Sequence, residues 1–100
     1  MFIVGTTRMP TNTSIEVAKV FAKAVKKPLP SCLKRVNVLV AAAGEEWFKA
    51  LAIYEVEDAK LADAIRALVE YEAQFIGIEG YRYQVEIMLE AREALPLIGI

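Results

Sequence analysis

Along the stretch from Trp47 to Val56, apolar residues come two apart on both sides of an extended chain. Phe48, Ala50, Ala52, Tyr54 and Val56 share one side, and Trp47, Lys49, Leu51, Ile53 and Glu55 share the other. A strand with water on one face alternates apolar with polar, so this one is expected at the centre of a sheet and covered on both faces. Its two alanines predict a place where a helix comes close. The acidic corner Glu57-Asp58 follows, with either residue placed to cap a helix. In that helix Leu61, Ala62, Ile65, Leu68, Val69 and Phe75 recur at spacings of three and four. Lys60, Asp63, Arg66, Glu70 and Gln74 fall mostly on the opposite side, which predicts a one-sided helix lying on the sheet.

The rest of the chain pairs with this unit. Met1 to Met9 holds β-branched and aromatic residues and stops at Pro10, as a first strand would. Thr13-Ser14-Ile15-Glu16 has the form of a capping box and predicts a helix start. Val17, Ala18, Phe21, Ala24 and Val25 are its inner side, and Lys19, Lys23, Lys26 and Lys27 gather outside and toward the C-terminal end, where cations suit the dipole. Pro28-Leu29-Pro30 ends it. In Ser31 to Ala42, Val36, Val38 and Val40 alternate with Arg35, Asn37 and Leu39, a strand pattern, and Gly44-Glu45-Glu46 turns it back as a hairpin into the Trp47 strand. Gly77 and Gly80 mark the exit from the second helix. Tyr81, Tyr83, Val85, Ile87 and Leu89 then oppose Arg82, Gln84, Glu86, Met88 and Glu90. Leu95, Leu97, Ile98 and Ile100 make the tail too apolar for a free solvated end.

The element order is β-α-β-β-α-β over a single domain, residues 1–100. It predicts an α+β, ferredoxin-like fold: a four-stranded antiparallel sheet in the spatial order 4-1-3-2, with two helices on one face. Two helices roof only one face, and the face carrying Trp47, Leu51 and Ile53 is poorly suited to water. A second copy of the chain is the expected cover. The apolar share is 56% with tyrosine counted, and 57% once the four tyrosines are exchanged for the five glycines. An average soluble domain has roughly 45–50% on that definition. A homodimer, or a higher oligomer, accounts for the excess.

Charge and residue types then remove function classes. Twelve basic and thirteen acidic residues are mixed along the chain, for a net charge of −1. No footprint for nucleic acid or an anionic membrane follows from that balance. No apolar run approaches the ~18 residues of a membrane span, and MFIVGTTRMP lacks the start of a signal peptide. A cytoplasmic location is expected. Cys32 is alone, so no disulfide forms within the chain. There is no histidine. Its absence takes away the commonest general base and metal ligand, so neither a metal nor a cofactor is expected and any chemistry runs on carboxylates, Tyr, Lys, Arg or Cys32.

The opening strand MFIVGTT, the join ALAIYEVEDAKLADAI and the ending YRYQVEIMLEAREALPLI resemble the dimeric α/β-barrel superfamily, and are similar to its small uncharacterised members. The resemblance covers nearly the whole chain and implies two sheets packed face to face in a closed barrel. Its characterised members include cofactor-independent monooxygenases acting on polyketides, lactone isomerases, haem-degrading enzymes and effector-sensing modules. The haem branch uses an axial histidine that this chain lacks. Effector-sensing modules sit beside a DNA-binding or enzyme domain, and with the chain taken as whole from Met1 none is expected here.

If Ile3/Gly5, Val36/Val38/Val40, Ala50/Ala52/Tyr54 and Tyr83/Val85/Ile87 face the helices, the other face carries Thr6, Arg8, Arg35, Asn37, Lys49, Glu55, Gln84 and Glu86 around Leu51 and Ile53. An apolar floor with a few polar anchors suits either a small apolar ligand or a dimer interface. Arg35, Asn37, Lys49, Leu51, Glu55 and Gln84 are therefore the candidate ligand-binding residues. Asn37, Arg35 or Glu55 would orient or deprotonate an aromatic substrate if the chain is an oxygenase or isomerase. The pairs Glu45-Glu46, Glu57-Asp58 and Glu70/Glu72 are assigned to turns, caps and helix surface. The tyrosines are assigned to core and edge packing.

Overall fold

The computed structural model describes residues 1–42, 44 and 46–100. Four strands are formed, β1 (Phe2–Pro10), β2 (Lys34–Ala42), β3 (Trp47–Glu55) and β4 (Arg82–Met88), with helices α1 (Ser14–Ala24) and α2 (Leu61–Ala73) and a single turn α3 (Ala91–Ala94). The sheet order is β2-β3-β1-β4, every neighbouring pair antiparallel. This is the ferredoxin-like arrangement, with the two long helices on one face and the apolar strand β3 in the interior of the sheet. The β2–β3 hairpin forms as expected; of its turn, Ala43 and Glu45 lie outside the described residues.

Both helix starts differ from the capping that the sequence suggests. A 3-10 turn, Thr11–Thr13, precedes α1, and Thr13 has φ −109° and ψ 2° instead of the extended backbone from which a cap side chain reaches the first amides. Its buried Oγ1 lies 3.3 Å from the Pro10 carbonyl and 3.2 Å from the Glu79 carbonyl, tying the end of β1 to the loop before β4. A second 3-10 turn, Asp58–Lys60, precedes α2, and neither Glu57 nor Asp58 makes a side-chain cap. The loop before β4 holds Gly80 at φ +76°, where a Cβ would run into the Pro10 ring.

The core lies between sheet and helices in two clusters. Ile3, Leu33, Tyr54, Val56, Ala64 and Leu68 fill one end, and Met9, Val17 and Phe75 the other, with Val20, Phe48, Tyr71 and Tyr81 packed against them. Each large apolar side chain buried there contributes roughly 1.5–3 kcal/mol. The α2 stripe is rotated from the sequence reading. Ala64, Leu68 and Glu72 are its buried line, whereas Val69 is half exposed and Ala62 faces solvent. Beyond β4 the chain leaves the body. The radius of gyration is 15.0 Å, against about 13 Å for a compact domain of this length. Leu97, Ile98 and Ile100 are more than 70% exposed.

Candidate functional site

What separates the two core clusters is a row of small residues. Opposite one another on the helix side of the sheet stand Val38, Ala52, Gly5 and Val85, and beside them Val40, Ala50 and Thr7. Glycine and alanine at the middle of the sheet leave its floor without side chains long enough to meet the helices. A cavity of about 400 Å³ results, within the roughly 300–1,000 Å³ of small-molecule sites. So Ala50 and Ala52 mark a gap and not, as the sequence suggested, a close helix. Ile15, Val17 and Phe21 of α1, Leu68 and Tyr71 of α2 and Phe75 just beyond it form its roof. Its most exposed lining residues, Ile15 and Val40, belong to α1 and the edge strand β2, so the mouth opens between them.

One of the six candidate residues reaches this cavity. Strict alternation would put Arg35 on the same face as Asn37. A β-bulge between Arg35 and Asn37 inserts Val36, reverses the parity, and sets Arg35 opposite Tyr54 on the helix side. The expected faces of Arg35 and Val36 are thus both corrected; Val36 is instead the bulged residue and half exposed. Asn37 stands opposite Ile53, with its Oδ1 accepting from the Val38 amide at 2.9 Å. Leu51 is paired with Leu39 and Thr6, Lys49 with Arg8, and Gln84 with Thr6, all on the open face. Glu55 lies at the end of β3, 3.9 Å from Lys34 in an exposed ion pair. The sheet therefore divides Arg35 from the other five, which do not form one site with it.

The polar groups around the cavity are few and come from α2 and the approach to β4 as well as β2. The Arg35 Nη2 donates to the Tyr54 hydroxyl at 3.3 Å, and the guanidinium lies 5.5 Å from the Tyr54 ring and 6.0 Å from that of Phe21, within cation–π range. Burial, reinforced by Tyr54, pushes the Tyr71 phenol up to about 12, against the opposing pull of Arg35. On the opposite wall the buried Glu72 accepts a short hydrogen bond from the Tyr81 hydroxyl, and Tyr81 stacks on Phe75 with ring centres 4.9 Å apart. Burial raises the Glu72 carboxyl above its ordinary range, and the bond from Tyr81 draws it part of the way back. Such a carboxyl is able to give or take a proton nearer neutrality than a surface one.

Glu72 was assigned to the helix surface, yet a signal was present: it lies four residues after Leu68 and three before Phe75, on the apolar line itself. Among the described residues no group of His, Cys, Asp and Glu is placed to hold a metal ion, and no helix is long and apolar enough to cross a membrane.

Neither a family model nor a curated protein matches the sequence. Solved structures match its backbone. A variant of SnoaB, a cofactor-independent oxygenase from Streptomyces nogalater, superposes with TM-score 0.52 at 12% identity, over 90% of this chain and 95% of that one. The likeness is one of fold. The de novo designed protein Foldit4 superposes with TM-score 0.53, also at 12% identity, over 90% of this chain and 99% of its own. That an enzyme and a designed chain both match this fold illustrates why the site, and not the fold, must carry a functional reading. A Galdieria sulphuraria protein is matched over 49% of its length, at 16% identity and TM-score 0.46, which bears on neither.

Proposed function

We propose that this chain is a homodimeric small-ligand-binding protein that takes a compact apolar molecule into the cavity between its sheet and its helices. The observation that carries the reading is the row of small residues Gly5, Ala50 and Ala52, which leaves room at the middle of an otherwise filled core. An apolar cavity of this kind favours an apolar guest, because the guest leaves water and gains the contacts that the bare walls lack. Titration with naphthalene, followed by amide chemical shifts, should move Gly5, Thr7, Ala50 and Ala52. Shifts confined to Leu39, Leu51 and Ile53 on the open face would overturn the reading.

The dimer rests on the open face. Leu39, Leu51 and Ile53 form its apolar middle beside the buried Val4. Arg8, Lys49 and Arg82 stand in one row at one end, and Glu86 and Glu55 lie toward the other. Like charges side by side across strands are unfavourable in a lone sheet. A second copy packed face to face with its strands reversed brings each basic row over the partner's acidic end. Sedimentation at micromolar concentration should give twice the chain mass, and a monomer there would remove the dimer.

A second reading, oxygenation or isomerisation of an aromatic ligand without a cofactor, draws on the polar wall of the cavity. Glu72, with its raised carboxyl, is the base it would use, in place of Asn37 and Glu55, which lie off the cavity. Oxygen uptake with a phenolic aromatic substrate that falls roughly 100-fold or more in Glu72→Gln would support it. Undiminished uptake in that variant would exclude Glu72 as the base.

A further inference from the structure

An apolar guest leaves the Arg35 guanidinium in the cavity unexplained. The Arg35 Nε is buried and has no acceptor among the described residues, its Nη2 donates to the Tyr54 hydroxyl, and the Tyr71 hydroxyl stands beside it. Around it stand aromatic rings, those of Phe21 and Tyr54 within cation–π distance. Those rings soften the cost of burying the charge, and the phenol oxygens of Tyr54 and Tyr71 take up part of its donor capacity, but no carboxylate among the described residues pairs with it. The carboxylate on the opposite wall, Glu72, is engaged by Tyr81. A buried donor without an acceptor is costly, and more so when it carries charge. The chain also reaches this arrangement by a special route: without the bulge, Val36 would stand opposite Tyr54 and Arg35 would point to the open face.

We propose that the ligand is an anion with a flat apolar body, its carboxylate or phenolate oxygen bound by Arg35 and its hydrocarbon lying over Gly5, Ala50 and Ala52. This rests on the cavity being a ligand site and adds to it the charge and polarity of the guest. A planar anion suits the flat guanidinium, whose charge no carboxylate among the described residues balances. Phe21 and Tyr54 then flank the join between anion and hydrocarbon, where one side must be apolar and the other charged.

The test is calorimetric titration of the unmutated chain at pH 7 with benzoate, 2-naphthoate and anthracene-2-carboxylate, each beside its neutral amide. At least one acid should bind about tenfold or more tightly than its amide, as one charge-assisted hydrogen bond would give. In Arg35→Met that preference should vanish, the acid losing about tenfold or more affinity beyond any loss by the amide, and Arg35→Lys should recover only part of it, lacking the planar fork. Equal binding of acid and amide would overturn the anion assignment and leave the cavity reading standing. No binding by either member of any pair would overturn both. Should Arg35→Met fail to fold, the acid-to-amide ratio on the unmutated chain decides alone.

Discussion

The two faces of the sheet are made from the same four strands, yet they solve different problems. On the helix face large side chains stand at both ends of the strands and small ones in the middle, so two dense clusters enclose a space. On the open face the middle is apolar, one end carries Arg8, Lys49 and Arg82, and Glu86 and the Lys34-paired Glu55 lie toward the other. The first pattern hollows out a folded domain; the second marks a surface that a like surface can meet. Strand alternation keeps the two apart, and the bulge at Val36 is where a residue written for one face is delivered to the other.

The largest effect that would sharpen this contrast lies in the helix-face core. Leu68→Ala should lower unfolding free energy by about 2–5 kcal/mol in chemical denaturation, since Leu68 of α2 is buried in the cluster with Ile3 and Tyr54. Leu39→Ala on the open face should cost well under about 1 kcal/mol when measured on a monomer, because Leu39 is half exposed there. If Leu39→Ala proves as costly as Leu68→Ala at high concentration but not at low, the open face is covered by a second copy.

Next in size is charge reversal on that face. Arg8→Glu should weaken self-association about tenfold or more and make it less sensitive to salt, and Arg8→Glu combined with Glu86→Arg should restore it. Failure of the pair to restore association would rule out the reversed-strand docking. Cavity filling follows. Ala52→Leu should raise stability by roughly 0.5–2 kcal/mol while abolishing naphthalene binding, a separation that no open-face substitution should reproduce.

The smallest effect concerns Glu72. Its native carboxyl holds the proton more tightly than the ordinary value of 4.5 in an unfolded chain. The folded state therefore binds more protons between that value and the raised one, so this group's contribution to stability is greatest in acid and declines as pH rises through that window. Glu72→Gln, which keeps an acceptor for Tyr81, should remove the decline. The variant's stability relative to the unmutated chain should grow from pH 4 to pH 8 in urea titrations, and a flat difference would show that Glu72 titrates as an exposed carboxyl does.

Local pattern alone determined a good deal here. Alternation gives the four strands, the four-and-three spacing of Leu61, Ile65 and Leu68 gives α2, and the order of elements gives a ferredoxin-like sheet with one bare face, because side-chain direction follows from backbone period. The helix starts at Thr13 and Asp58 were located within a turn, but not their 3-10 geometry, which depends on how the chain enters the sheet. Only tertiary structure decided that Ala50 and Ala52 meet Gly5 across strands and make a hollow, since residues 45 and more positions apart in the chain become neighbours through register alone. Tertiary structure also placed Arg35 inside. A single inserted residue reverses which face every earlier residue of the strand occupies, and parity counted along a sequence carries no sign of where the partner strand will skip.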